Sequence, residues 1–141
     1  MLIKQLSVFL ENKSGRLTEL TTILGQANIN LSALSIAETS EFGIIRMITS
    51  DPERGLEILK ENNFSVNLTD VICIKTANKA GTLSKYLHNL SENNIDVEYM
   101  YAFSMGKAAF VVIRTENIQK TIEILENNNA QLVKPDDLYN I

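Results

Sequence analysis

The sequence predicts an α+β chain in which one strand-helix-strand-strand-helix-strand unit occurs twice, and three observations carry that prediction. Asn12-Lys13-Ser14-Gly15-Arg16-Leu17 recurs as Asn78-Lys79-Ala80-Gly81-Thr82-Leu83, an offset of 66 residues that aligns the two copies without a gap. The same offset pairs Leu24 with Leu90, Asn28-Ile29 with Asn94-Ile95, Glu57-Ile58-Leu59 with Glu123-Ile124-Leu125, and Asn62-Asn63 with Asn128-Asn129. Within each copy, apolar residues pass from a two-residue period to helical spacing and back in the same order. Finally, 45% hydrophobic and 21% charged residues in 141 suit a globular chain with one continuous core, provided that its halves pack together. The copies are expected at 1–68 and 69–141, which leaves no room for a separate catalytic domain.

The elements follow in order. Leu6, Val8 and Leu10 alternate with Ser7, Phe9 and Glu11, the pattern of a strand with two different faces, and Val71 to Ile74 repeats it less cleanly. Leu17, Leu20, Ile23 and Leu24 then mark an amphipathic helix, as do Leu83, Tyr86, Leu87 and Leu90. Asn28 and Asn94 close these helices where a left-handed residue is often needed. Second strands are expected at Leu31 to Glu38 and Val97 to Ser104, and third strands at Gly43 to Thr49 and Ala108 to Thr115. Asp51-Pro52 supplies an N-cap and a first-turn proline for the helix carrying Leu56 and Leu59, with Asn117 as the weaker counterpart. Asn62-Asn63 and Asn127 to Asn129 end these helices, and fourth strands follow at Phe64 to Leu68 and Ala130 to Lys134. This order is that of the split βαβ, ferredoxin-like unit, an antiparallel sheet with both helices on one face.

The second sheet face then needs cover. Ile45, Met47, Val111 and Ile113 share one side of the third strands, leaving Ile44, Arg46, Ile48, Phe110, Val112 and Arg114 on the other. Both sides carry large apolar groups, so a second chain is expected to cover the open face, giving a homodimer. Tyr99, Tyr101 and Phe103 form a further alternating row whose face a bulge would invert.

Composition excludes several function classes. A net charge of −4 with scattered basic residues opposes nucleic-acid binding, which draws on clustered Lys and Arg, and so opposes an RNA-binding reading of the aromatic row. No apolar run is long enough for a membrane span, and the start lacks a signal peptide, so a cytoplasmic protein is expected. Cys73 cannot form an intrachain disulfide and reads as a small apolar filler, while His88 reads as a solvated helix residue. Without a Cys-x-x-Cys or a His close to Cys73 in sequence, no metal, cofactor or catalytic group is expected, and Arg16 alone is weak support for a phosphate loop.

The turn between first strand and first helix carries the chemistry. Gly15 and Gly81 stand where free amides of a helix N-terminus point outward, and a glycine there lets a small carboxylate approach. Asn12 and Asn78, and Asn30 and Asp96 at the start of the second strands, could contact the same ligand, the Asp96 carboxylate suiting an ammonium group on it. The same residues also suit plain turn and cap chemistry.

Asn-x-x-Gly-x-Leu after an apolar strand, followed by a helix ending in Asn-Ile, resembles the ACT domain family in both copies, over essentially the whole chain. The resemblance implies βαββαβ units paired side by side into an eight-stranded antiparallel sheet. It implies a small amino-acid effector bound at the domain interface, and allosteric regulation of a partner enzyme or regulator. Effector-holding roles then fall on Asn12, Lys13, Ser14, Gly15, Arg16, Leu17 and Asn30 in the first copy. In the second they fall on Asn78, Lys79, Ala80, Gly81, Thr82, Leu83 and Asp96. The proline that the family places before the glycine is replaced by Ser14 and Ala80, which softens the turn. The alternative is an interaction module without a ligand, acting by association of sheet faces.

Overall fold

A computed structural model describes residues 1–11, 13–38 and 41–141, and Asn12 lies outside them. The chain divides into two compact units, one formed by Lys4–Thr69 with Pro135–Ile141 and the other by Met1–Ile3 with Asp70–Lys134.

The first-repeat unit contains β1 (Ile3–Glu11), α1 (Arg16–Gln26), β2 (Leu31–Glu38), β3 (Phe42–Thr49), α2 (Pro52–Glu61) and the start of β4 (Ser65–Ala77). Its strands are ordered β2-β3-β1-β4. The alternation in β1 does what its pattern demands. Leu6, Val8 and Leu10 join Ile45 and Met47 beneath Leu20 and Leu24 of α1 and Leu59 of α2. Each fully buried side chain of this size contributes about 1.5–3 kcal/mol over exposure. Asp51 caps α2 by accepting from the Arg54 amide at 3.2 Å, with Pro52 in the first turn.

The second-repeat unit contains the rest of β4, α3 (Thr82–Glu92), β5 (Val97–Met105), β6 (Ala108–Thr115), α4 (Ile118–Asn127) and β7 (Gln131–Leu132). β4 pairs with β6, β6 with β5, and β7 with β4. Ile72, Ile74, Val111 and Ile113 form its core with Leu90, Ile124 and Leu125. Asn117 caps α4 by accepting from the Lys120 amide. Asn28 and Asn94 adopt φ of 59° and 57°, and Asn63 and Asn129 take the same left-handed conformation after α2 and α4.

Several expectations change. Seven strands occur among the described residues instead of eight, because the expected strands at Phe64 to Leu68 and Val71 to Ile74 are one continuous strand, Ser65–Ala77. The last expected strand shrinks to Gln131–Leu132, because Pro135 has no amide to continue a ladder and instead starts a short helix, α5 (Pro135–Tyr139). That helix corrects the expectation of a wholly open second face. It packs on β3, the carbonyl of its buried Leu138 accepts from Ser32 Oγ, and its Tyr139 hydroxyl accepts from the Lys4 amide at 2.7 Å. Ile48, directed away from the core under α1 and α2, is fully buried without a second chain. Phe110 and Val112 are buried as well.

The aromatic row also finds its face. Phe103 pairs with Phe110 and stacks on it at 5.1 Å, and Tyr101 pairs with Val112, so the row lies away from the helix-covered core. A register shift between Val97 and Tyr99 supplies the bulge that hid this in the sequence.

Candidate functional site

Gly15 and Gly81 adopt φ of 89° and 85°, the left-handed conformation that a side chain resists, and each opens a helix that no side chain caps. The Arg16 amide is held by the Lys13 carbonyl at 3.3 Å, and Thr82 and Lys79 repeat the bond at 3.3 Å. Beyond that bond, helix geometry leaves the next first-turn amides, those of Leu17 and Thr18, without an intrahelical acceptor. These turns present outward-facing donors at the positive end of a helix dipole.

In the first-repeat unit the turn borders a pocket of about 320 Å³. Leu10, Leu17, Ile36 and Ile45 give it apolar walls, Lys13, Ser14 and Arg16 form the turn side, and Glu11 and Glu38 add carboxylates. Gly43 also lines it, paired with Leu10 on one neighbouring strand and Glu38 on the other. An added Cβ at Gly43 would meet nothing closer than 3.8 Å, so the missing side chain leaves real space.

The charges are not equally committed. Lys13 pairs with Glu11 at 2.8 Å and holds its carboxyl below the usual glutamate range, while Arg16 pairs with Glu19 at 2.8 Å. The Arg16 guanidinium lies 4.2 Å from the Phe64 ring centroid, and its Nε is buried without an acceptor among the described residues. Glu38 has no ion-pair partner among the described residues.

Arg16 and Glu11 also border a second recess of about 390 Å³, lined by Phe9, Phe42 and Asn63. At the 66-residue offset this recess corresponds to one of about 520 Å³ in the other unit, where Lys75 and Lys107 lie near Thr82 and Tyr86. Lys79, Ala80 and Gly81 are exposed, Leu83 packs against its unit's core, and the Asn78 amide donates to the Lys107 carbonyl.

Asn30 and Asp96 are not brought to these turns within their own units. β1 and β2 both run antiparallel to β3 and hence parallel to one another, so the start of β2 lies at the opposite end from the Gly15 turn. Leu31 pairs with Thr49 and Leu10 with Gly43, a separation along β3 of about 20 Å. Asn30 instead donates through its amide to Ser50 Oγ. Asp96 lines a separate recess of about 580 Å³ with Asn94, Glu116 and Asn117. One small molecule cannot span that distance inside a single unit.

The sequence reading missed Leu10, Glu11, Ile36, Glu38, Gly43 and Ile45 as pocket residues. The signal lay in the strand parity, which places Gly43 and Ile45 on the face of Leu10 once the register is known. Cys73 is fully buried, which pushes its thiol up to about 12, and His88 is an exposed partner of Glu92 at 3.0 Å. Among the described residues no group of three His, Cys, Asp or Glu side chains could hold a metal, and no helix is long and apolar enough to cross a membrane.

The turns, the repeated strand order and the paired cores define a class. The chain belongs to the ACT domain pair family, whose model matches residues 1–141. Its structure is similar to the crystal structure of a protein from Bacteroides thetaiotaomicron, with 51% identity, coverage of 100% of this chain and 98% of that one, and a TM-score of 0.96. It shares its fold with the ligand-free regulatory subunit of aspartate kinase from Thermus thermophilus, at 13% identity, coverage of 89% and 93%, and a TM-score of 0.63. The corresponding subunit from Thermus flavus matches at 12% identity, coverage of 90% and 94%, and a TM-score of 0.59. No curated protein sequence matches the chain.

Proposed function

We propose that this chain is a non-catalytic, cytoplasmic regulatory module that binds a small amino acid and passes its occupancy to a partner enzyme or regulator. One observation carries the reading: the uncapped, left-handed Gly15 turn opens α1 on the rim of a pocket with apolar walls and charges of both signs. The turn suits a carboxylate, the acidic side chains suit an ammonium group, and the walls suit carbon. The aspartate kinase regulatory subunits with the same fold support a regulatory role.

In this reading the copies are 1–68 and 69–141. Asn30 and Asp96 lie far from the glycine turns of their own units, so neither completes the turn site of its own copy. Effector binding shifts assembly or partner affinity through its different affinity for two arrangements of the copies.

A thermal-shift screen against the common amino acids tests the proposal. A ligand that binds only the folded chain raises stability by RT ln(1 + [L]/Kd), so a selective rise is expected, and a flat response at millimolar ligand contradicts it. The second reading, a ligand-free interaction module, draws on Leu34 and Ile36, which are 41% and 46% exposed on the edge strand β2. It predicts partner affinity that survives substitution of both Asn12 and Asn78.

A further inference from the structure

Comparison of the two copies residue by residue separates them chemically. At the 66-residue offset, Glu11 becomes Ala77, Arg16 becomes Thr82, Ile36 becomes Ala102, Glu38 becomes Ser104, and Gly43 becomes Ala109. The ladders confirm that these positions correspond in space: Leu10 pairs with Gly43 as Thr76 pairs with Ala109, and Glu38 pairs with Gly43 as Ser104 pairs with Ala109. The second copy has therefore lost both carboxylates and the guanidinium, and it carries a methyl group where the first copy has open space.

Resting on the effector-binding reading above, we infer that the first copy alone is the ligand-recognising copy, and that its ligand is an α-amino acid with an uncharged aliphatic side chain. The pocket of about 320 Å³ lies at the small end of the roughly 300–1,000 Å³ typical of ligand sites, which favours a ligand of this size. The first-turn amides of α1 take the carboxylate. Of the two carboxylates lining the pocket, Glu38 is the one with no lysine or arginine partner among the described residues, and it takes the ammonium group. Leu10, Leu17, Ile36 and Ile45 supply an apolar wall for the side chain, while Glu11 and Lys13 in the same pocket are already paired with each other. A charged side chain set against that wall would lose its hydration, and to gain a partner it would have to break the Lys13–Glu11 pair.

The test is isothermal titration calorimetry on the full chain with L-leucine, L-isoleucine and L-valine. L-Lysine, L-aspartate, 4-methylpentanoate and 3-methylbutylamine serve as comparison ligands. At least one aliphatic amino acid should bind with a single site per chain, and the two fragments, each lacking one charged group, should bind at least about tenfold more weakly. Glu38→Gln should weaken binding about tenfold by removing one charge-assisted contact. Gly43→Val should abolish binding by filling the pocket, and because its Cβ meets only ordinary contacts, the variant should keep its circular dichroism spectrum and cooperative melt. Ala109→Val, the matching change in the second copy, should leave affinity unchanged.

If L-lysine or L-aspartate binds best, or Glu38→Gln and a folded Gly43→Val bind the aliphatic ligand as the parent does, this inference is overturned while effector binding stands. Two equivalent sites per chain overturn it as well. If no amino acid binds the parent chain, the proposed function fails together with it. Should Gly43→Val not fold, Gly43→Ala replaces it and should weaken binding at least threefold, with an unchanged affinity counting against the inference.

Discussion

The hydroxyl groups of Thr115 and Thr121 share a buried hydrogen bond of 2.7 Å in the second-repeat unit. Their counterparts at the 66-residue offset are Thr49 and Gly55, and Thr49 Oγ1 is buried without a partner among the described residues. A polar network made in one copy is thus half erased in the other. Replacing Thr49 by Val removes an unsatisfied hydroxyl and should raise unfolding free energy by about 1 kcal/mol, whereas Thr115→Val breaks a made bond and should lower it by about 1 kcal/mol. Urea unfolding of both variants checks the opposite signs.

Gly55 also explains why the first copy has no threonine there. A Cβ at that position would stand 2.8 Å from Cδ1 of Leu6, itself fully buried in the sheet beneath α2. Gly55→Ala should therefore cost about 1 kcal/mol net, because overpacking of about 1–3 kcal/mol outweighs the helix propensity gained. Gly25, in α1 with nothing within 4 Å of its Cβ position, is the control. Gly25→Ala should stabilise by about 0.5–1 kcal/mol, measured in the same denaturant series.

The two glycine turns are strained for any other residue by backbone conformation alone, since nothing lies within 4 Å of a Cβ built at Gly15 or Gly81. Gly81→Ala should lower stability by about 1–2 kcal/mol and Gly81→Asn by less, because Asn tolerates the left-handed region. Thermal melts of the pair distinguish conformational strain from a steric clash, which would penalise the larger Asn more.

Burial at Cys73 makes a pH prediction with a definite sign. The folded thiol is raised to about 12, while the thiol of an unfolded chain ionises near pH 8.5. Its contribution is therefore complete below about pH 8.5 and is lost as pH rises towards the folded value, because the unfolded chain ionises first. Cys73→Val should flatten that alkaline decline in stability. The native thiol should also resist a thiol reagent at about pH 8 until denaturant is added.

Much of the fold was legible because local chemistry and tertiary demand agree. The alternation of Leu6, Val8 and Leu10, the Asp51-Pro52 helix start and the left-handed Asn28 and Asn94 each state their structure in a few residues. The continuous strand through Thr69 and Asp70 was hidden because polar residues there read as a break between copies. Instead, the Arg114 side chain donates to the Asp70 carbonyl at 2.6 Å on that strand. Helix α5 had a usable signal in Pro135 followed by Asp136 and Asp137, a first-turn proline with two acids. Of the candidate site, the turn residues Lys13, Ser14, Arg16 and Leu17 were legible, because they lie together in sequence. Glu38 and Gly43 were not, because only the register of β1, β3 and β2 brings them to the turn. That register also carries Asn30 away from it.

Docking of an amino acid at the Gly15 turn would be read residue by residue in an amide-resolved NMR titration of the full chain with L-leucine, repeated with L-isoleucine. Saturable shifts are expected to concentrate at the amides of Gly15, Arg16, Leu17 and Thr18 and at Glu38 and Gly43, with the Gly81 turn unmoved. Saturable shifts confined to the Gly81 turn, or none in this set at millimolar leucine and isoleucine, would contradict it.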